Sequence, residues 1–144
     1  MKKAYIILAV LIIGYISCKK KDSCSDPNAL NQDSSGNCQY TKVIFYAPSN
    51  MIGGYGFKVI KIEVFRRILD EDQLIGTITD LNDQNPEPDG CTTPEKGIEY
   101  NFTQQDDALF VTRYYFENGV EDPGDFFQIA TSSSAHCITQ KLTI

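Results

Sequence analysis

The sequence contains a single histidine, His136, and no tryptophan among its 144 residues. A histidine-rich zinc site is therefore excluded, and a Ser-His-Asp unit would have to use His136 itself. His136 directly precedes Cys137, which we expect to form a disulfide. We therefore interpret His136 as a surface residue rather than as a catalytic base. The absence of tryptophan removes the largest ring on which a sugar could stack. Because no glycine-rich phosphate loop occurs either, the composition favours a non-catalytic protein.

The sequence contains fewer basic than acidic residues, with 13 Lys and Arg compared with 19 Asp and Glu. Without residues 1–17, which are interpreted below as a leader, 11 basic residues remain against 19 acidic ones, a net charge of −8. An acidic surface repels phosphate backbones. We therefore expect no nucleic-acid partner.

A long apolar run occurs only at the N-terminus. The basic start Met1-Lys2-Lys3 is followed at residues 4–16 by thirteen uncharged, mostly apolar residues. This run is shorter than the roughly 18–20 residues that a membrane-spanning helix needs. A basic start before a short apolar region is typical of a secretory signal peptide. Residues 1–17 are therefore predicted to be a cleaved signal peptide, with an uncut N-terminal membrane anchor as the alternative.

The chain has five cysteines, an odd number for an exported protein. Cys18 directly follows the apolar run, Cys24 and Cys38 bound one short polar segment, and Cys91 and Cys137 lie further along. One lipid-modified cysteine and two disulfides would use all five. Disulfides persist in the oxidising space beyond the bacterial inner membrane.

The residues Tyr15-Ile16-Ser17-Cys18 resemble the lipobox of bacterial lipoproteins, in which a small residue precedes the cysteine that is acylated. Ser17 matches this position, whereas Tyr15 departs from the usual leucine. The resemblance implies two or three acyl chains on Cys18. Each buried methylene of such a chain contributes about 0.8 kcal/mol, so the anchor would be essentially permanent.

Residues 18–23 would then form a lipidated tether. No aspartate directly follows Cys18, and this feature implies the outer membrane rather than retention at the inner one. The charged cluster Lys19-Lys20-Lys21-Asp22 resembles the export tags of surface-exposed lipoproteins. We therefore expect display at the cell surface, with the periplasmic face of the outer membrane as the alternative.

Residues 24–40 follow the pattern Cys-x-Asp-Pro-x-Ala-x-Asn, then a polar stretch, then Gly-x-Cys-x-Tyr. This pattern resembles a short module of surface and outer-membrane lipoproteins of Gram-negative bacteria, where a small disulfide-bonded β-domain of unknown function follows it. The matching residues are Cys24, Asp26, Pro27, Ala29, Asn31, Gly36, Cys38 and Tyr40. Gln32 stands where the module usually has an aromatic residue. The resemblance implies a Cys24–Cys38 disulfide, which leaves Cys91 and Cys137 to pair with each other.

The same segment is also rich in oxygen ligands. A calcium loop is the alternative to a purely structural module, because hard oxygen atoms are what calcium prefers. Its ligands would be Asp26, Asn28, Asn31 and Asp33.

From residue 41 onward, segments of alternating apolar and polar residues are separated by turn signals. This predicts an all-β domain at 41–144, a small antiparallel β-sandwich of about seven strands or a partly open barrel. In its second strand we expect Ile60, Ile62 and Val64 on one face. Turns are expected at Gly53-Gly54, Asp70-Glu71-Asp72 and Asn118-Gly119. The segments predicted as strands are 41–47, 56–67, 74–79, 98–103, 108–117, 125–131 and 136–144.

Two parts of this domain are candidates for a ligand surface. The proline-rich stretch 80–96 carries Asp80, Asp83 and Asp89, which together with Asn82 are a second possible calcium set, although the spacing matches no known calcium loop. In the pair Tyr114-Tyr115 one ring should face the core and the other solvent, so one of them is expected in an outward aromatic row.

The sequence thus predicts a non-catalytic, lipid-anchored domain for binding, adhesion or assembly, with a protein or glycan ligand. No cofactor is expected apart from the calcium alternative. A glycan-binding accessory lipoprotein of polysaccharide uptake is the second hypothesis, because outward aromatic rings can stack on sugars. A small hydrolase is the third, and the scarcity of histidine opposes it.

Overall fold

The computed structural model describes residues 23–144 apart from residues 28, 35, 55, 82–84, 105–106 and 132–134. The predicted signal peptide and acylation site, Cys18, lie outside the described residues. Within the described residues the chain forms eight strands and no helix. The strands are β1 Lys42–Tyr46, β2 Val59–Ile68, β3 Glu71–Thr79, β4 Ile98–Asn101, β5 Asp107–Phe116, β6 Glu121–Asp122, β7 Phe126–Ala130 and β8 Cys137–Lys141.

The strands form two sheets that pack as a small β-sandwich, which confirms the predicted fold class. The small sheet has the order β4-β1-β8 and the large sheet the order β3-β2-β5-β6, with β7 also paired to β5. All strand pairs are antiparallel except β1 and β8, which run parallel. Each predicted segment overlaps with one of the strands, and the two-residue β6 is additional.

The core lies between the sheets and is centred on aromatic rings. Phe45 of β1 and Phe110 of β5 are fully buried, and their ring centroids lie 5.0 Å apart. Phe127 of β7 stacks on Phe110 at 5.9 Å, and Tyr100 of β4 meets Phe110 edge-on at 5.5 Å. Burial of each such ring contributes about 1.5–3 kcal/mol. These rings therefore supply much of the attraction between the two sheets.

The start of β2 departs from the predicted alternation. Val59 pairs with Phe116 and Lys61 with Tyr115, so Ile60 is an extra residue in this strand. Its side chain is 47% exposed, whereas Val59 and Ile62 are fully buried. The prediction that Ile60 shares the buried face of Ile62 is therefore wrong, because a β-bulge displaces the side chains that precede it.

The β2–β3 hairpin turns at Leu69-Asp70 rather than at the predicted Asp70-Glu71-Asp72. Ile68 pairs with Glu71, which leaves two residues in the turn. Their φ angles are 49° and 68°. Two consecutive positive φ values are those of a type I′ turn, the tight turn whose twist suits a hairpin. The strand β3 therefore begins at Glu71, three residues before its predicted start.

Both predicted glycine turns are present. At Asn118-Gly119, the amide of Gly119 donates to the carbonyl of Phe116 at 3.0 Å and the chain reverses between β5 and β6. At Gly53-Gly54, the chain reverses between Ile52 and Lys58, which form an antiparallel bridge.

The described part of the 80–97 loop packs against the outer face of the small sheet. Cys91 is bonded to Cys137 of β8, and the Asn85 amide donates to the carbonyl of Ala47 at 2.6 Å. Ile44 of β1 faces away from Phe45, on the side of the sheet that this loop covers, and is fully buried. The proline-rich segment thus serves as a cover for β1, which is buried on both faces.

Candidate binding surfaces

The module at 24–40 is held together by its own polar side chains. The Cys24–Cys38 disulfide closes it and joins positions 14 residues apart, with Cα atoms 4.8 Å apart. The Tyr40 hydroxyl donates to Asp26 Oδ2 at 2.6 Å. Asn31 donates from its amide to the carbonyl of Asn37 at 2.9 Å and accepts from the Gln39 amide at 2.7 Å. The pattern residues Asp26, Asn31 and Tyr40 therefore have a structural role.

Two members of the first calcium set, Asp26 and Asn31, are engaged in hydrogen bonds within the module. Asp26 accepts the Tyr40 hydroxyl, and this hydrogen bond raises the pKa of Tyr40 above its usual value. The Asn31 side-chain oxygen accepts the Gln39 amide, and Asn28 lies outside the described residues. No three His, Cys, Asp or Glu side chains converge on a metal position in the part of the chain that the structure describes.

Of the second set, on the 80–97 loop, only Asp80 and Asp89 are among the described residues. Asp80 adopts a positive φ of 55° and its carbonyl accepts Lys96 Nζ at 2.9 Å. Asp89 is exposed, and its carbonyl accepts the Thr92 amide in a turn next to Cys91. Asp83 and Asn82 lie outside the described residues. Both of these described contacts are made within the loop.

Tyr114 is not part of an outward aromatic row. Only 2% of it is exposed, and its hydroxyl donates to the carbonyl of Thr143 at 2.9 Å. Burial raises the pKa of this phenol. The candidate role of Tyr114 in a ligand surface is therefore corrected. Strict alternation along β5 places it in the core with Phe110 and Phe116, and the strand register was needed to assign the face.

Tyr115, the other member of the pair, lies on the outer face of the large sheet. Its hydroxyl donates to Glu63 Oε2 at 2.8 Å, and Lys61 Nζ lies 3.5 Å from its ring centroid. Both partners belong to the neighbouring strand β2. The ring is therefore half-buried within a cross-strand cluster, with a cation on one face.

Four apolar side chains cross this outer face in register. Leu74 pairs with Phe65, Phe65 with Val111, and Val111 with Phe126, so the set spans β3, β2, β5 and β7. We call these four residues the apolar row. Its ends are open, since Leu74 is 52% and Phe126 56% exposed, whereas Val111 in the middle is buried.

Cations lie over the rings of the apolar row. The guanidinium of Arg113 lies 5.0 Å from the Phe65 centroid, and that of Arg67 lies 4.7 Å from Phe126. Arg67 also binds Asp72 through two hydrogen bonds of 2.7 and 2.8 Å. Cation–π contacts of this kind at exposed sites contribute about 0.5–1 kcal/mol each. They also occupy ring faces on which a sugar would otherwise stack.

The carboxyl groups of this face are stabilised in their charged form. Burial tends to raise the pKa of Glu63, but the Tyr115 hydroxyl, Lys61 and Arg113 outweigh it, so the pKa lies below its usual value. The hydrogen bonds from Arg67 hold the pKa of Asp72 below its usual value as well. A general acid needs the opposite, a raised pKa near neutrality. Neither Glu63 nor Asp72 therefore has the raised pKa of a general acid.

A cleft of about 340 Å³ separates the module from the small sheet. One wall comes from the module and the other from β1, β4 and the residue before β8. Lys42, one of its polar groups, is bound to Glu99 at 2.9 Å. The residues that line it are Leu30, Cys38, Gln39, Tyr40, Lys42, Asn101, Phe102 and His136.

Comparisons with protein-family models, curated proteins and solved structures gave no match to this chain. In the described residues, no helix has the length and apolar character needed to cross a bilayer. The surfaces of this protein must therefore be interpreted from their own chemistry.

One exposed residue was not anticipated from the sequence. Leu69 at the tip of the β2–β3 hairpin is 94% exposed, and Ile68 beside it is also exposed. The signal was present in the sequence as an Ile-Leu pair directly before an acidic run. The predicted strand ends at residue 67 and the predicted turn begins at Asp70, so neither prediction includes this pair.

Proposed function

We propose that this chain is a lipid-anchored, non-catalytic domain of the bacterial outer membrane, displayed at the cell surface, that binds a macromolecular ligand. The observation that carries the anchor is the disulfide pairing. Cys24 is bonded to Cys38 and Cys91 to Cys137, so Cys18 has no intramolecular partner left. This is the cysteine that follows Ser17 and the short apolar run. Acylation accounts for it.

The location follows from the same features. Two disulfides in a domain of this size support an oxidising compartment. The residue after Cys18 is Lys19 rather than aspartate, which favours the outer membrane through the lipoprotein resemblance. The cluster Lys19-Lys20-Lys21 favours export to the surface, and the periplasmic face remains the alternative.

Mass spectrometry of the N-terminal peptide tests the anchor. We expect a mature chain that begins at Cys18 and carries a diacylglyceryl group, and we expect that it floats with membrane vesicles. The Cys18→Ala variant should lose the lipid and the flotation. A wild-type chain that begins elsewhere without a lipid would contradict the proposal. Protease treatment of intact cells then separates surface display, where the domain is digested, from the periplasmic face, where it is protected.

The absence of catalysis is supported by the electrostatics of the described carboxyl groups. The shifts that are resolved for Glu63, Asp72 and Glu99 are all downward. A broad hydrolase screen of the purified lipoprotein should show no turnover. Turnover that disappears in a folded His136→Ala variant would contradict a pure binding role.

The apolar row is the surface we assign to ligand contact, and its cation-covered rings favour a protein over a glycan. A glycan array with the wild-type lipoprotein and a Phe126→Ser variant distinguishes the two. The Ile60→Ser variant is the matched control, because Ile60 is similarly exposed but lies outside the row. Glycan binding that is lost with Phe126 and kept in the control would favour the polysaccharide-uptake alternative.

A further inference from the structure

The tip of the β2–β3 hairpin carries a residue that its local structure disfavours. A type I′ turn needs positive φ at both central residues, which is why Asn-Gly and Asp-Gly are preferred there. The first position is instead Leu69, with a φ of 49° and 94% of its surface exposed. Leucine is disfavoured in the left-handed region, and its exposure gives no compensating burial within the domain. Ile68 extends the same apolar tip.

The strand directions place this tip at the same end of the sandwich as the module. Lys42, the first residue of β1, pairs with Asn101, the last residue of β4. The chain then passes to the start of β5, where Leu109 pairs with Arg67 just before the tip. One end of the sandwich therefore holds four strand termini, namely the beginnings of β1 and β5 and the ends of β2 and β4. We call it the module end.

The proposed anchor lies close to this end along the chain. The described residues begin at Ser23, five positions after Cys18, and five residues span at most about 18 Å when fully extended. The opposite end carries Ile52, which is 66% exposed and lies beyond the first residue of β2. The ten residues of β2 correspond to about 33 Å of strand, so Ile52 lies well beyond the reach of the tether.

We propose that Ile68 and Leu69 insert into the surface of the membrane that holds the lipid anchor. This inference rests on the acylation of Cys18. An apolar tip confined beside a bilayer gains by burying its side chains at the boundary between head groups and acyl chains, as interfacial segments do. The adjacent Asp72 is paired with Arg67 through two hydrogen bonds, which lowers the cost of bringing this acidic run to the surface. The domain would then be held at the membrane by the lipid on Cys18 and by the hairpin tip. The opposite end of the sandwich, which carries Ile52, would face away from the membrane.

The test uses the absence of tryptophan from the chain. Leu69→Trp places a single fluorophore at the tip, and Ile52→Trp is the matched control at the opposite end. Each full-length lipidated variant is reconstituted into phosphatidylcholine vesicles whose acyl chains carry bromine, a quencher confined to the bilayer interior. We expect a blue-shifted, quenched emission at position 69 and an unshifted, unquenched emission at position 52.

The outcomes separate the two proposals. Chains that do not float with the vesicles contradict the anchor, and the tip contact that depends on it is then contradicted as well. Chains that float while the fluorophore of the Leu69→Trp variant stays unquenched overturn the tip contact and leave the anchor standing. An emission that shifts with protein concentration but is not quenched by bromine indicates a protein contact instead, and it also overturns the proposal.

Hydroxyl-radical labelling of the wild-type lipoprotein is a second measurement that does not depend on the folding of the two tryptophan variants. Labelling of Leu69 should fall when the wild-type lipoprotein is moved from detergent into vesicles, while labelling of Ile52 should stay the same. Equal labelling of Leu69 in both states would contradict the contact.

Discussion

Removal of the Cys91–Cys137 disulfide should destabilise the domain more than removal of Cys24–Cys38. The larger bridge joins positions 46 residues apart and the smaller one joins positions 14 residues apart. In the chain-entropy treatment these loops correspond to about 4 and about 3 kcal/mol of unfolding free energy. The larger bridge also fixes the 80–97 loop over Ile44, so its loss should loosen a buried part of β1 as well.

The experiment compares a Cys91→Ala/Cys137→Ala variant with a Cys24→Ala/Cys38→Ala variant by urea unfolding. The free energy is taken from the midpoint and the slope, and the slope also reports whether the unfolded state has expanded. A loss for the larger bridge that is equal to or below the loss for the smaller one would refute this reasoning.

A double-mutant cycle tests the covering role separately. Ile44→Ala in the wild-type chain should cost about 2–5 kcal/mol, the usual range for an isoleucine lost from a packed site. In the variant without the Cys91–Cys137 bridge the same substitution should cost less, because the cover over Ile44 is no longer held in place. The difference is the coupling energy between the side chain and the bridge. A coupling of zero would show that the loop covers Ile44 without help from the disulfide.

Three further substitutions have defined outcomes. Leu69→Asn should raise the unfolding free energy by about 1 kcal/mol, because asparagine tolerates positive φ. The Leu69→Ala control keeps the backbone strain and should not raise it. Equal effects of the two substitutions in urea unfolding would rule out backbone strain as the cause. Tyr114→Phe should lower the unfolding free energy by about 1 kcal/mol, because the hydrogen bond to the Thr143 carbonyl is lost. The same urea experiment measures this change. An unchanged free energy would mean that water replaces the bond. The pKa of Glu99 is lowered to about 2 by hydrogen bonds from Thr93, Lys42 and Asn101. Its ionised form therefore contributes stability that is complete above pH 4.5, the ordinary pKa, and is lost as the pH falls toward 2. Glu99→Gln should remove this pH dependence of the unfolding free energy. The change should amount to only about 0–1 kcal/mol, because the ion pair with Lys42 is partly exposed.

The fold class follows from local pattern, because alternation and turn residues report directly on strands and reversals. The strand at 41–47 and the turn at Asn118-Gly119 are examples. The parallel pairing of β1 with β8 has no such signal, since it joins the two extremes of the domain without a local turn. The exposure of Ile60 was missed for a related reason. A bulge adds one residue to a strand and exchanges its faces, and only the register against β5 reveals it.

The candidate surfaces were harder to predict than the fold. Alternation requires that Tyr114 and Tyr115 face opposite ways, but the choice between them depends on which sheet face the core covers. The apolar row is a property of register across four strands, and Leu74 and Phe126 are far apart in sequence. The module pattern pointed to a disulfide, whereas the roles of Asp26 and Tyr40 emerged only from their mutual hydrogen bond.

The two ends and the two outer faces of the sandwich differ in their chemistry. The outer face of the small sheet is covered by the 80–97 loop, and the core uses the two inner faces. The outer face of the large sheet carries no comparable loop in the described residues, and its charges are held against rings and against one another. If the module end is turned toward the membrane, this face lies side-on to the bilayer. The apolar row would then be accessible to a neighbouring protein in the same membrane, which is the geometry expected of a contact between two anchored partners.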